Sequence, residues 1–291
     1  MEVTISKPAY FDYAQCLRYV DRGFDECLYH VKDDIITKTI SINNERAVIQ
    51  IAEAGSTLNV KTLTDSTLDP DQFSLYVRSW FDMDRDLSGF YNLFDPLLTP
   101  LLRQYQGLRL VGIENLYEAL CWSIIGQQIN LAFAFRLKRA MVEKYGMRFD
   151  HEGHSYYFFP SPEALASATR EDLLELQFSR QKADYIINLS QKFAEKLISK
   201  EELQQLSLAE AVQVLSELKG IGPWTANYVA MRCLKFMDAF PMGDAGLQNA
   251  IKYLQGREDK PSMSELAELS EKWQGWQAYA TLFLWRSLSK D

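Results

Sequence analysis

The chain has 291 residues, of which 47% are hydrophobic and 24% charged, and its formal net charge is -8. This is the composition of an ordinary folded protein, and it excludes a disordered, collagen-like or disulfide-stapled chain. No run of about eighteen uncharged apolar residues is present, so we expect no membrane span. The first thirty residues contain several acidic side chains and no apolar core. We therefore expect no secretory signal and predict a cytoplasmic protein.

The cysteines and histidines are too scattered for a familiar metal or disulfide pattern. No two of the four cysteines form a C-x-x-C pair, and a chain of this size does not need disulfides, so we expect reduced thiols. With three histidines, no zinc site or four-cysteine cluster can be assembled at known spacings. The residues concerned are Cys16, Cys27, Cys121, Cys233, His30, His151 and His154.

The negative charge is concentrated in the first third of the chain. Residues 1–100 hold 16 acidic and 9 basic residues, whereas residues 101–150 hold 7 basic and 4 acidic ones. The basic side chains there are either a solvated helix face or part of an anion-binding surface. Because the net charge is negative, binding of DNA would depend on backbone amides and shape rather than on charge alone. The basic strip comprises Arg136, Lys138, Arg139, Lys144 and Arg148.

The first third of the chain has the alternating pattern of β-strands. A helix around Tyr13–Val20 interrupts the strands, and Asn43 with Asn44 has the composition of a hairpin turn. We therefore predict an antiparallel sheet with a helix or two packed on it. The predicted strands cover residues 2–6, 35–42, 47–52 and 58–63.

From about Asp71 onward, apolar residues recur at the three- and four-residue spacing of helices. The fold class is therefore α+β, with an α/β domain over residues 1–100 and an all-helical body over residues 101–291. The predicted helices include the segments around 116–124 and 133–141, and then 162–168, 180–196, 208–218, 223–236, 243–254, 264–273 and 276–289.

The segment LKGIGPWTA at 218–226 joins two of these helices through a very short connector. Glycine permits positive φ and close approach to another surface, and Pro223 suits the first turn of the second helix. The first N–H groups of that helix have no partner within it and would bind an anion such as a phosphate. The alternative is a tight helix-helix turn with a glycine C-cap.

This connector is followed by MDAFPMGD at 237–244, and the chain also carries GLRL at 107–110, SIIGQQI at 123–129 and WQGWQAYA at 273–280. In these motifs and their order, residues 75–288 resemble the helix-hairpin-helix DNA glycosylase superfamily, in particular its 3-methyladenine DNA glycosylase II branch. The resemblance implies a two-lobed helical body behind an antiparallel α/β domain. It also implies base excision repair: alkylated purines such as 3-methyladenine and 7-methylguanine are flipped out of duplex DNA and released by hydrolysis.

The resemblance assigns the catalytic carboxylate to Asp244, which would stabilise the positive charge that develops on the sugar. The local sequence equally predicts an N-cap, and the two roles can coexist. Trp224 and Tyr228, four residues apart on one helix, would line the lesion pocket with Trp276 opposite, whereas core packing is the alternative for each ring. Ala245 and Gly246 replace bulkier residues of the relatives, which predicts a more open pocket.

The resemblance also implies a set of contacts to DNA. Gln128 takes the place of an apolar wedge that fills the gap left by the flipped base, and Thr225 matches a phosphate contact. Backbone carbonyls of Leu218 and Ile221 would hold a monovalent cation, and no other cofactor is expected. The predicted DNA-binding residues are Gln127, Gln128, Gly220, Ile221, Gly222 and Thr225.

Trp224 stands where strand-nicking relatives carry a Schiff-base lysine, so we expect a monofunctional enzyme. The C-terminal four-cysteine signature of an iron-sulfur cluster is absent from the sequence. The expected partner is damaged double-stranded DNA, and the expected state is a monomer. The alternatives are a glycosylase for another damaged base such as hypoxanthine or uracil, a strand-nicking lyase, and a non-catalytic DNA-binding module.

Overall fold

The computed structural model describes residues 1–43, 45–65 and 67–289. Its main sheet has five antiparallel strands in the order β1-β5-β4-β3-β2. The helix predicted between the first two strands is confirmed as α1, with Asp12 as its N-cap. The bounds are β1 Glu2–Ser6, α1 Tyr13–Val20, β2 Tyr29–Lys32, β3 Ile35–Ile42, β4 Glu45–Ala54 and β5 Thr57–Thr62.

The predicted antiparallel sheet is confirmed, and β2 is the strand that the sequence pattern missed. This strand has four residues and pairs only with β3, so its alternation is too short to distinguish from a loop. The predicted turn before β4 includes Asn43, which has a φ of +49°. Its second residue, Asn44, lies outside the described residues.

Helices dominate the rest of the described chain, as predicted. None of them, within the residues described, has the length and apolar character that crossing a bilayer requires. Their bounds are α2 Pro70–Trp80, α3 Ser88–Tyr91, α4 Thr99–Gln104, α5 Leu116–Gly126, α6 Leu131–Tyr145, α7 Pro162–Ala166, α8 Arg170–Glu175, α9 Arg180–Ala194, α10 Lys200–Gln204, α11 Leu208–Ser216, α12 Pro223–Arg232, α13 Ala245–Leu254, α14 Met263–Lys272 and α15 Gln277–Ser287.

The expectation that residues 101–291 are all helical needs one correction. A two-stranded hairpin, β6 Arg148–His151 and β7 His154–Tyr157, lies between α6 and α7. Its two turn residues, Glu152 and Gly153, have φ values of +48° and +78°, which suits the right-handed twist of a tight hairpin. The sequence analysis predicted no strands in this segment.

Two large hydrophobic cores organise the described residues, and Val48, Tyr156 and Phe158 form a small third cluster. The first contains residues of the sheet and of the segment up to Val111, together with residues of α13, α14 and α15 such as Leu247, Leu266 and Phe283. The second contains residues from Leu116 to Leu234. Both ends of the chain therefore contribute to the first core, whereas the division into residues 1–100 and 101–291 stays a prediction.

Arg109 ties the N-terminal segment to the helical body. Its side chain is fully buried and donates to the carbonyl oxygens of Ala9, Tyr10, Asp82 and Arg85 at 2.6 to 3.1 Å. A guanidinium carries five N–H donors in a rigid fork, and here it satisfies carbonyls from two separate segments. The GLRL motif thus has a structural role at this position.

We expect Arg109→Met to lower the free energy of unfolding by about 3 kcal/mol, because four carbonyl groups lose their donor inside the core. Arg103→Met is the matched control, since Arg103 is exposed on α4. Urea denaturation followed by circular dichroism measures both variants. Equal stability of the two variants would contradict the bracing role of Arg109.

Candidate functional site

Asp244 is the residue immediately before α13, and its carboxylate accepts hydrogen bonds from three N–H donors. Oδ1 accepts from the backbone N–H of Leu247 and from the indole Nε1 of Trp285, both at 2.7 Å. Oδ2 accepts from Nε1 of Trp224 at 3.3 Å. The predicted N-cap is therefore confirmed, and the cap also fixes a half-buried carboxylate between two indoles. Oδ2, which accepts a single long hydrogen bond, is the oxygen with more free lone-pair capacity.

Three aromatic rings surround this carboxylate. Trp224 and Tyr228 lie one turn apart on α12 and stack with ring centroids 5.7 Å apart and an interplanar angle of 25°. The ring of Trp285, from α15, lies 6.1 Å from that of Tyr228. All three side chains are half-buried, and Trp285 and Tyr228 also pack against the two large cores, so the cluster lies between these cores and solvent.

Trp276, which was predicted to lie opposite Trp224 and Tyr228, makes no ring contact in this cluster of described residues. Among the described residues its ring contacts are with Phe90 and Tyr279, at 5.8 and 6.4 Å. It is the N-cap of α15, nine residues before Trp285, and it packs against the first core. The sequence analysis did not identify Trp285, because α15 is buried on nearly all sides and shows no single apolar face. A pocket-lining role for Trp276 stays a prediction.

Gly246 lies against Trp285 rather than beside open space. A Cβ at this position would lie 3.0 Å from Oδ1 of Asp244 and 3.2 Å from the indole of Trp285. The absence of a side chain therefore lets the indole reach the carboxylate. The expectation of a more open pocket here is corrected, because the Trp285 ring takes the space.

The hydroxyl group of Tyr228 reaches a second feature, a cleft of about 730 Å³ between the sheet and the helical body. Nε1 of Trp122 donates to this hydroxyl at 3.2 Å, and Nη1 of Arg232 donates to it at 3.3 Å. Arg232 is buried and also donates to the hydroxyl of Tyr19, at 2.9 Å. Tyr228 therefore lies between the Asp244 cluster and the cleft.

The predicted helix-hairpin-helix is formed by α11 and α12. Gly220 has a φ of +87°, and a Cβ there would lie 2.2 Å from the ring of Tyr185, so both conformation and space require glycine. Gly222 is the N-cap of α12 and has no capping side chain. The N–H groups of the first turn of α12 therefore lack an intrahelical partner, as an anion site requires.

Gln127 braces this hairpin from the end of α5. Its Nε2 donates to the carbonyl oxygen of Gly220 at 2.7 Å and to Oγ1 of the buried Thr225 at 3.4 Å. Gln128 follows with a φ of +56° and an exposed side chain. Both glutamines therefore lie beside the hairpin. Gln127 is hydrogen-bonded within the protein, whereas the side chain of Gln128 is exposed to solvent.

A groove of about 380 Å³ runs beside the hairpin and includes residues that the sequence analysis missed. Lys182 lies on its α9 side, and its ammonium donates to the carbonyl oxygen of Ile125 at the end of α5, at 2.7 Å. Burial lowers the pKa of this ammonium. The sequence offered no signal for these residues, because α9 meets the hairpin only in the folded chain. The newly identified residues are Ser179, Gln181, Lys182 and Tyr185.

Two kinds of metal site can be compared with the described residues: one formed by side chains and one formed by the backbone carbonyls of the hairpin. No group of three or more His, Cys, Asp or Glu side chains among them is arranged to hold an ion. The carbonyl oxygen of Leu218 accepts from the N–H of Ile221 at 3.0 Å, which leaves one of its lone pairs for an ion. The monovalent cation at the Leu218 and Ile221 carbonyls stays a prediction.

The basic strip, which runs along α6 and ends in β6, is largely neutralised by ion pairs. Lys138 is buried, with Glu26 at 2.9 Å and Glu118 at 3.6 Å. Although burial opposes its charge, these carboxylates raise the pKa of Lys138. Arg139 pairs with Asp25 at 2.6 Å. Much of this strip therefore joins α6 to the segment between α1 and β2, and is neither a freely solvated face nor an open anion site.

Comparison with solved structures defines the class of fold. The chain is similar to a 3-methyladenine DNA-glycosylase from Archaeoglobus fulgidus, with a TM-score of 0.84 at 21% identity over 98% of this chain and 97% of that one. It is also similar to the Clostridium acetobutylicum 8-oxoguanine glycosylase/lyase in complex with double-stranded DNA, with a TM-score of 0.77 at 19% identity over 98% and 96%. The fold is that of the DNA glycosylases.

The sequence places the chain more narrowly. Residues 121–275 match the model of the family described as HhH-GPD superfamily base excision DNA repair protein. A DNA-3-methyladenine glycosylase of Bacillus subtilis (strain 168) is 41% identical over 293 residues, which cover 98% of this chain and 97% of the relative. This chain belongs to the HhH-GPD superfamily of base excision DNA repair proteins, which confirms the resemblance.

The two glycines of the hairpin give a matched pair for testing its geometry. Gly220→Ala places a Cβ against Tyr185 and forces a positive φ, so we expect a loss of about 2 kcal/mol in the free energy of unfolding. Gly222→Ala meets no atom within 4 Å at a φ of -92°, so we expect a change below about 0.5 kcal/mol. Thermal and urea denaturation measure the difference, and equal losses would contradict this account.

Proposed function

We propose that this protein is a monofunctional DNA glycosylase that releases alkylated purines, of the 3-methyladenine and 7-methylguanine type, from duplex DNA. The observation that carries the proposal is the carboxylate of Asp244, held by two indole N–H groups beside the ring of Tyr228. The 41% identical DNA-3-methyladenine glycosylase supports this choice of substrate class.

The chemistry follows from the charge that appears during base release. As the bond between base and deoxyribose breaks, positive charge develops on the sugar. A fixed carboxylate beside the anomeric carbon stabilises that charge and orients the attacking water. Oδ2 of Asp244 takes this role, because Oδ1 is occupied by Leu247 and Trp285. The N-cap therefore contributes to catalysis by fixing which oxygen faces the substrate.

The aromatic cluster suits a positively charged base. Alkylation at N3 or N7 makes a purine cationic, and the faces of tryptophan and tyrosine attract cations through the ring quadrupole. Trp224, Tyr228 and Trp285 offer such faces next to the carboxylate. A charged base is also a good leaving group, so the protein need not protonate it.

The hairpin serves to hold the DNA backbone. The free N–H groups after Gly222 bind a phosphate without a lysine, which is compatible with a net charge of -8. Gln127 fixes the connector through its bonds to Gly220 and Thr225. Gln128, exposed at the adjoining turn, fills the gap that the flipped base leaves.

The absence of a lyase step follows from Trp224. An indole cannot form the Schiff base that strand-nicking glycosylases require, so the product is an abasic site. Lys219 is exposed on the hairpin, and Lys235 lies near Glu114, with Nζ 3.6 Å from its carboxylate. We further infer damaged double-stranded DNA as the partner, no required cofactor, a monomeric state and a cytoplasmic location.

Asp244→Asn should reduce release of 3-methyladenine and 7-methylguanine from methylated duplex DNA by about 100-fold or more, because it removes the charge that stabilises the sugar. Binding to the same DNA should persist, since the phosphate contacts are unchanged. Chromatography of the freed bases and a mobility-shift assay measure the two properties.

Asp238→Asn is the matched control, because Asp238 is exposed in the same connecting segment and makes no contact in the Asp244 cluster. Its base release should equal that of the wild type. Retained release by Asp244→Asn would remove Asp244 from the mechanism. Full binding by the wild type without any release would instead favour a non-catalytic DNA-binding protein.

Treatment of reacting wild-type protein with borohydride should trap no covalent adduct with DNA, because no amine occupies the position of Trp224. Gel electrophoresis after the reaction, with a strand-nicking glycosylase as positive control, tests this expectation. A trapped adduct would support the lyase alternative.

A further inference from the structure

The hydroxyl group of Tyr228 has an unusual hydrogen-bonding environment. It is contacted by Nε1 of Trp122 at 3.2 Å and by Nη1 of Arg232 at 3.3 Å. An indole N–H and a guanidinium N–H can only donate, so both contacts use lone pairs of the phenol oxygen. The O–H proton of Tyr228 consequently remains to be donated elsewhere.

No acceptor for that proton is found among the described residues. The hydroxyl group instead borders the cleft of about 730 Å³, which is large enough for a purine. A donor that no described residue satisfies is available to an acceptor atom of a bound ligand. The ring of the same residue contacts Trp224 and Trp285, which bind the Asp244 carboxylate.

We propose that the O–H of Tyr228 donates a hydrogen bond to the flipped base and favours purines that carry an exocyclic carbonyl oxygen. Trp122 and Arg232 act as positioning residues, because their donors direct the phenol proton away from the protein. This inference rests on the proposed function and adds a selection among the damaged purines that it names.

The selection follows from the groups that the bases present. Guanine carries an acceptor at O6, whereas adenine carries an amino donor at the same position. In 7-methylguanine the methyl group blocks N7 and leaves O6 as the acceptor on that edge. In 3-methyladenine N7 remains an acceptor, but at the six-position, where guanine carries O6, the amino group would meet the O–H of Tyr228 donor to donor. The stacked rings attract both cationic bases alike, so a phenol O–H that faces the six-position discriminates between the two bases.

Arg232 fixes the orientation of the Tyr228 hydroxyl, because its own guanidinium is held in place by other hydrogen bonds. Its guanidinium donates to the carbonyl oxygen of Val111 and to the hydroxyl of Tyr19, and it lies 5.7 Å from the centre of the Tyr228 ring. The N-terminal layer thereby contacts the lesion pocket through Tyr19, which gives that layer a role in recognition besides support.

The test uses DNA treated with dimethyl sulfate, which carries both lesions in one substrate. We expect Tyr228→Phe to lower the ratio of released 7-methylguanine to 3-methyladenine by about tenfold, the worth of one hydrogen bond in a rate. Single-turnover assays with chromatography of both bases give this ratio. A variant that is merely misfolded loses both activities together and leaves the ratio unchanged. The matched control is Tyr253→Phe, since Tyr253 is exposed on α13.

A double-mutant cycle tests the positioning role of Trp122. Trp122→Phe keeps an aromatic ring against Phe135 but removes the donor, so we expect a several-fold drop in the ratio. In the Tyr228→Phe background the same substitution should have no further effect on the ratio. Additive effects, or an unchanged ratio in a Tyr228→Phe variant that still releases both bases, would overturn the proposal. Release of neither base by the wild type would instead overturn the proposed function itself.

Discussion

The carboxylate of Asp244 accepts hydrogen bonds from the first turn of α13 and from two indoles at the same time. The arrangement of the candidate site depends on these three hydrogen bonds. Leu247, Trp224 and Trp285 belong to three different helices, and each gives an N–H to the same carboxylate. Because these donors approach from different sides, they restrict the rotation of the side chain and leave Oδ2 the freer oxygen. A capping interaction of the kind found at many helices thus becomes the element that orients the catalytic group.

The protein positions this site through contacts between its two cores. The helix α12 carries Trp224 and Tyr228, and its last residue, Arg232, donates to Val111 and Tyr19 in the N-terminal part of the chain. Arg109 makes a second connection through four carbonyl groups. The acidic N-terminal layer is therefore part of the framework around the cleft, and its negative charge does not prevent backbone amides at the hairpin from facing a phosphate.

Local signals predicted much of the fold and part of the candidate site. The α1 helix and the strands β1 and β3 have the predicted bounds, because each has a clear apolar period and a capping or turn residue at its end. The N-cap at Asp244 and the tight glycine connector are likewise local features. The turn Glu152-Gly153 shows the limit of such signals, since a short polar hairpin differs little from a loop until its strands pair.

The sequence alone determined the helical pattern after the N-terminal strands, the capped carboxylate at position 244 and the hairpin with a positive-φ glycine, because these depend on neighbours within a few residues. Only the tertiary structure decided that Trp285 and not Trp276 joins the carboxylate, that Lys138 is buried against Glu26, and that the Tyr228 hydroxyl meets two donors. These facts arise from the packing of α5, α6, α12 and α15 against one another and against the sheet. Periodicity along one helix says which residues share a face, but the partner of that face is chosen by burial in the folded chain.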